Sequence, residues 1–236
     1  MATSSTEFHY EPLGIVHLTM RTNSRSITAR WKNGKVFLNV PRGVKYDEIM
    51  RALEQFTPNL LRKKPRLSFF DEQEILLADF SIIIKRQTIA PAKILSQARL
   101  PVSSIEVGSD WDFDSEETTQ AISRLMCGIS LRLAPQLLIP RAKQLARQVG
   151  ATPSGWSISR GPRVLGHCDR HRHIALSHII LFLPQHLRDY IVFHELAHLT
   201  EMNHSPRFHL LCNQYCNGQE ALYSKQLNSY PWPLLK

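Results

Sequence analysis

The sequence predicts an α+β protein: a β-rich N-terminal half, a helical connector, and a compact C-terminal domain built on a histidine-bearing helix. Three observations predict it. Short alternating runs of apolar and polar residues fill residues 12 to 110, the apolar period changes to a helical one near residue 114, and HELAHLTEMNHSPRF at 194–208 holds three histidines and two glutamates within eleven positions. The division is expected between an N-terminal region, 1–113, and a connector plus C-terminal domain, 114–236.

From the N-terminus, GIVHLTM, RSITARW, KVFLNVP, RLSFF, FSIIIK and SIEV read as strands, because β-branched and aromatic residues alternate with polar ones between turn-forming residues. Asn33-Gly34, between SITARW and KVFLNV, marks a hairpin. DEIMRALEQF at 47–56 spaces Ile49, Leu53 and Phe56 for a helix inside this half. After the acidic, cap-forming residues at 114–117, Ile122, Leu125, Met126 and Ile129 recur at helical spacing. Pro135 and Pro140 are expected to break that run, so that PRAKQLARQVG forms a second helix opening at Pro140 and stopping at Gly150. Residues 156–182 return to a β pattern, with SISR and HIALSHIILF flanking a turn around CDRHR. Pro184 then opens the helix LPQHLRDYIVFHELAHLT, apolar on nearly every side apart from Arg188, Asp189 and the histidines, as a buried helix is. Internal repeats and low-complexity tracts are absent from the sequence.

A chain of 236 residues that is 43% hydrophobic can bury a sizeable core. The opening MATSSTEFHYEPLG lacks a basic segment followed by an apolar run, and no later stretch reaches about 18 consecutive apolar residues, so the expectation is a cytoplasmic protein that does not span a membrane. Cys127, Cys168, Cys212 and Cys216 are too few for a disulfide scaffold and none lies in a CxxC pair. Cys212 and Cys216, one helical turn apart, raise a second metal site, but two small buried residues on one helix face is the favoured reading. The net charge of +9 is uneven: residues 1–100 hold 16 Lys and Arg against 9 Asp and Glu, while Asp110, Asp112, Asp114, Glu116 and Glu117 form an acidic knot. The excess makes nucleic acid a possible partner for the N-terminal half, although RKKPR at 62–66, without interleaved aromatics, reads more readily as a solvated loop.

His194 and His198 are four residues apart on a helix, so their side chains leave about 40° apart in azimuth and about 6 Å apart along the axis. Both reach one ion, and two imidazoles supply half of a tetrahedral zinc site. Glu195 projects beside that ion without pointing at it, near a water the metal would activate, where a general base belongs. A catalytic zinc wants three protein ligands and one open position. His204 is the candidate third. Continued helix would carry it about 240° around and about 9 Å along the axis, out of reach, so the helix must stop near Glu201. Asn203 tolerates a left-handed cap, and Ser205-Pro206 reads as an N-cap followed by the first-turn proline of a new helix, PRFHLLCNQYC. The spacing equals that of HExxHxxGxxH, with Glu201 in place of the glycine. Glu201 and Glu220 are rival third ligands. At this composition a chance HExxH arises in about 2–3% of chains, and one followed by a histidine at a specified position in about 0.1%.

DYIVFHELAHLTEMNHSPRF and the hairpin before it resemble the YgjP-like metallopeptidases, zinc-dependent hydrolases related to the SprT-like and Wss1-like proteases. The likeness covers about residues 140–215, and more weakly SITARWKNGKVFLNVPRGVKYDEIMRAL. It implies a zincin-like C-terminal domain with Zn2+ on His194, His198 and His204, Glu195 as catalytic base, and a strand near HIALS at 173–177 beside the cleft, along which an extended peptide pairs. Where the family usually has Arg-Trp-Gly-Ser-Cys, this chain has Val164, Leu165, Gly166, His167 and Cys168, and where an aromatic commonly follows the equivalent of Phe208 it has His209. His167, His171 and His173 read as turn residues more readily than as cleft residues.

The expected function is therefore that of a hydrolase, a zinc-dependent metallopeptidase using a zinc-activated water and Glu195, with peptide or protein substrates. The alternatives are a DNA-associated protease or nucleic-acid-binding protein using the basic N-terminal half, and a catalytically silent zinc-binding module.

Overall fold

Val36, Leu38 and Val40 alternate with half-exposed neighbours along one strand, and that pattern builds the first sheet. A computed structural model describes residues 5–22, 24–32, 35–62, 67–87, 90–161 and 163–235. They divide into two compact units, one of residues 1–70 with 112–119, the other of 71–111 with 120–236.

In the first unit, β1 (Ser5–Tyr10), β2 (Gly14–Arg21), β3 (Thr28–Lys32) and β4 (Lys35–Pro41) form a sheet of order β1-β2-β4-β3. Two antiparallel hairpins lie side by side, joined by the parallel pair β2 and β4. Asn33-Gly34 lies outside the described residues; the strands it links pair antiparallel with Lys32 opposite Lys35. Helix α1 (Tyr46–Arg62) lays Ile49, Leu53 and Leu60 into the same core as Val16, Leu38 and Val40. It outruns the expected 47–56 by more than a turn and contains Pro58. Burial of Leu60, with its carbonyl accepting from Trp31 Nε1 at 2.8 Å, holds the extension.

In the second unit, β5 (Gln73–Leu76), β6 (Ser81–Arg86), β7 (Ile94–Gln97) and β8 (Val102–Val107) repeat the arrangement: order β5-β6-β8-β7, antiparallel outer pairs and a parallel centre. No sequence repeat announces this, because the two sheets share a topology and not a residue pattern. RLSFF is not a strand; among its described residues Phe69 is a buried plug in irregular chain, which explains its apolar character without a ladder.

Helix α2 (Glu116–Gln148) starts where Ser115 Oγ accepts from the Thr118 backbone N–H. It corrects the expected break: Pro135 and Pro140 lie inside one 33-residue helix. Each costs a backbone hydrogen bond. Leu133, Ala134, Leu138 and Ala142, all buried around them, supply packing that outweighs the penalty. By length and composition α2 alone among the described helices would cross a bilayer, yet its stripe of Ile122, Met126, Ile129 and Leu133 is buried in protein.

A third sheet, β9 (Gly155–Ser159), β10 (Gly166–Cys168) and β11 (His173–Ser177), has the order β10-β11-β9. The apolar run after β11 is a buried 3-10 segment, His178–Phe182, and not a continued strand. His178 anchors it to α2 through Ser130 Oγ at 2.7 Å. Helices α3 (Gln185–His198), α4 (Pro206–Tyr215) and α5 (Glu220–Asn228) complete the unit. Arg188 and Asp189, read as the polar side of α3, face protein instead: buried Arg188 pairs with Asp79, and Asp189 takes Arg141 at 2.6 and 3.1 Å.

Candidate active site

Helix α3 ends at His198, with Leu199 as its cap in right-handed helical conformation. The Thr200 and Glu201 N–H groups still bond back to Ala197 O, at 3.1 and 3.0 Å, closing a short turn. Asn203 is not left-handed, contrary to the sequence expectation; the reversal is made by this turn and by Ser205 N–H donating to Asn203 O at 2.8 Å. Ser205 caps α4, its Oγ accepting from Phe208 N–H at 3.2 Å, with Pro206 in the first turn.

The bend carries His204 back to α3. The ligand nitrogens of His194, His198 and His204 all lie within 4.8 Å of one another, the only such cluster of metal-binding side chains among the described residues. Nε2 of His194 and Nε2 of His204 are 3.1 Å apart. Tetrahedral coordination at about 2.0–2.1 Å places two nitrogens about 3.3 Å apart, so the His194–His204 pair already stands at the separation one metal requires and the third nitrogen lies within 4.8 Å of both. Phe208, fully buried, packs its ring against all three imidazoles with centroids 4.5–4.9 Å away and fixes the floor of the cluster.

His198 Nδ1 donates to the Glu201 carbonyl at 3.0 Å. That bond fixes the tautomer that leaves Nε2 a free acceptor, the support a metal-binding histidine needs. Glu201 contributes this carbonyl, while its carboxylate pairs with Arg207 at 3.1 Å. Glu220 accepts from His209 Nδ1 at 2.7 Å. Neither rival carboxylate belongs to the cluster. Burial, and then the neighbouring imidazoles His198, His204 and His209, lower His194 to about 4, and burial also lowers His198, so both stay neutral and ready to ligate near pH 7.

Glu195 is 5% exposed and lies against β10. Burial raises its pKa to about 7, opposed by a hydrogen bond from the Cys168 backbone. Gly166 permits the approach: a Cβ there would lie 2.5 Å from Glu195 Oε1. Neither Gly166 nor Cys168 was singled out from sequence for this, because they lie 29 and 27 residues before Glu195 and the contact leaves no local signature.

The strand beside the cleft is β10, not HIALS. Strand β11 is paired on both sides, by β9 and by β10, so it has no free edge. Ser177 N–H donates to Leu165 O and Asp169 N–H to His173 O, and the antiparallel alternation therefore turns the backbone groups of Gly166 and Cys168 outward. Of the three histidines expected in a turn, only His171 lies in one; His167 stands on β10 and His173 on β11, and His171 and His167 are exposed. His173 is half-buried over Gly155 and bonds Ser157 Oγ at 2.9 Å. Cys212 and Cys216 are buried one helical turn apart, with no third ligand among the described residues.

The model of the YgjP-like metallopeptidase domain matches residues 25–230. The chain belongs to the YgjP-like family. A metallopeptidase domain implies a bound metal, hydrolysis and peptide or protein substrates, and the histidine cluster lies within the matched span. No match emerges among curated proteins or among solved structures.

Proposed function

We propose that this YgjP-like protein is a zinc-dependent peptidase in which His194, His198 and His204 hold the metal and Glu195 is the general base. The observation that carries the reading is the convergence of three imidazoles beside a buried carboxylate that is not one of the cluster. Zinc held there supplies Lewis acidity, lowering the pKa of a water towards about 7 and polarising the scissile carbonyl.

The chain's own residues do the rest. Glu195, poised near neutrality, takes the proton of the attacking water on its carboxylate and returns it to the leaving amine. The Cys168 N–H and the bare Cα of Gly166 hold that carboxylate in place. The outward backbone groups of β10 that Glu195 leaves free, those of Gly166 and the Cys168 carbonyl, pair with an extended peptide, aligning the bond to be cut. The experiment is Glu195→Gln, which keeps the shape and removes the base. Bound zinc should remain at the wild-type level while peptide turnover falls by a factor of about 100–10,000. Wild-type turnover by that variant would remove Glu195 from the chemistry.

A further inference from the structure

A cavity of about 300 Å3 opens beside the histidine cluster, with His194 and Glu195 among its lining residues. Its aliphatic walls are Leu165, leading into β10, Ile191 of α3 and Leu227 of α5. Tyr190, Ser224 and Asn228 also line it, the Ser224 hydroxyl lying close enough to interact with the Tyr190 phenol, so the polar part of the wall is neutral. No Lys or Arg is among the lining residues, and the one carboxylate there is Glu195. A charged side chain entering would therefore lose its hydration without a counter-charge, or would occupy the base itself. At the small end of ligand-pocket volumes, about 300–1,000 Å3, the cavity suits one side chain and not a folded ligand.

The position of Glu195 gives the cavity a direction. The carboxylate that returns a proton to the leaving amine must lie next to the residue that supplies that amine, and the same carboxylate lines the cavity. We propose that this cavity receives the side chain of the residue on the amine side of the scissile bond and selects a bulky apolar one, leucine, methionine or phenylalanine. This rests on the peptidase reading above and adds the substrate class. Helix α5 acts as the outer wall of the pocket, which gives the segment after α4 a role in specificity.

The test uses the zinc-loaded full chain and a peptide library varied at one position on the amine side of the cut, read by mass spectrometry. Wild type should prefer leucine over alanine by about tenfold or more, since each methylene filling an apolar pocket is worth about 10–200-fold. Leu165→Trp, which fills the cavity, should reduce that ratio by about tenfold. Leu227→Ala, which enlarges it, should move the preference from leucine towards phenylalanine, a change of sign that partial unfolding does not produce. In a Glu195→Gln background, fluorescence titration with labelled peptides should show the same order of affinities without turnover. Cleavage with a leucine-to-alanine ratio unaltered in both variants, or a preference for a charged residue, would overturn the pocket assignment alone. No Glu195-dependent cleavage of any library member would overturn the peptidase reading and the pocket with it.

Discussion

A methyl group at position 166 has nowhere to go. Built on the present backbone, it lies 2.5 Å from Glu195 Oε1, 2.7 Å from Cγ and 2.8 Å from Cδ, whereas ordinary contact begins at 3.4 Å. In Gly166→Ala the carboxyl must therefore retreat by about 0.9 Å, or the strand must move by as much. The backbone at 166 is not left-handed, so the effect is steric and not conformational. A catalytic group misplaced by about 1 Å loses about 100-fold in rate. The overpacking should cost about 1–3 kcal/mol of stability. Zinc content should not change, because the three atoms nearest the new methyl all belong to Glu195. The assay is kcat/KM on a cleaved peptide, with zinc stoichiometry and a urea titration on the same sample. Gly128→Ala on the exposed side of α2, with nothing within 4 Å of its Cβ, is the control and should stabilise by about 0.5–1 kcal/mol. A fully metallated Gly166→Ala protein with wild-type kcat/KM would refute the idea that β10 sets the position of Glu195.

Other variants probe the supports of the site. Ser205→Ala removes the N-cap of α4 and should cost about 1 kcal/mol in urea unfolding while weakening zinc binding, since the cap anchors the bend that carries His204. Asp79→Ala should cost more than Arg188→Met: the first leaves a buried guanidinium uncompensated, at about 3–5 kcal/mol, while the second leaves a carboxylate one-third exposed and open to hydration. Equal losses in the two would mean that the pair is not buried asymmetrically. Burial lowers the pKa of His178 below its ordinary 6.5, so the unfolded chain takes up a proton there that the folded protein resists. Its contribution vanishes above pH 6.5 and destabilises increasingly as pH falls below it; His178→Asn should flatten the wild-type decline in urea midpoint on that acid side and leave the neutral region parallel.

What could be read from the sequence was local. The Ser205-Pro206 start of α4 is a cap signature that needs no tertiary partner, and the same holds for the helical spacing of His194 and His198. Strands β2, β4, β6 and β8, central in their sheets, announce themselves by Val, Ile and Leu. Strands β1, β5 and β7 do not: each is a sheet edge, exposed along much of its length, with sequences such as STEFHY and QEIL that carry no apolar stripe. Prolines 135 and 140 misled for the opposite reason, since the burial of Leu133, Ala134, Leu138 and Ala142 around them, which local sequence does not reveal, overrides what the backbone prefers. The floor of the site, Phe208, and its wall, Gly166, are defined by close approach in space, which residue spacing does not encode.

X-ray absorption at the zinc edge of the purified protein tests the central claim most directly. The account predicts one zinc per chain, three imidazole nitrogens at about 2.0–2.1 Å, and loss of one of those scatterers in His204→Ala. A spectrum fitted by sulfur ligands, or one unchanged by His204→Ala, would contradict it.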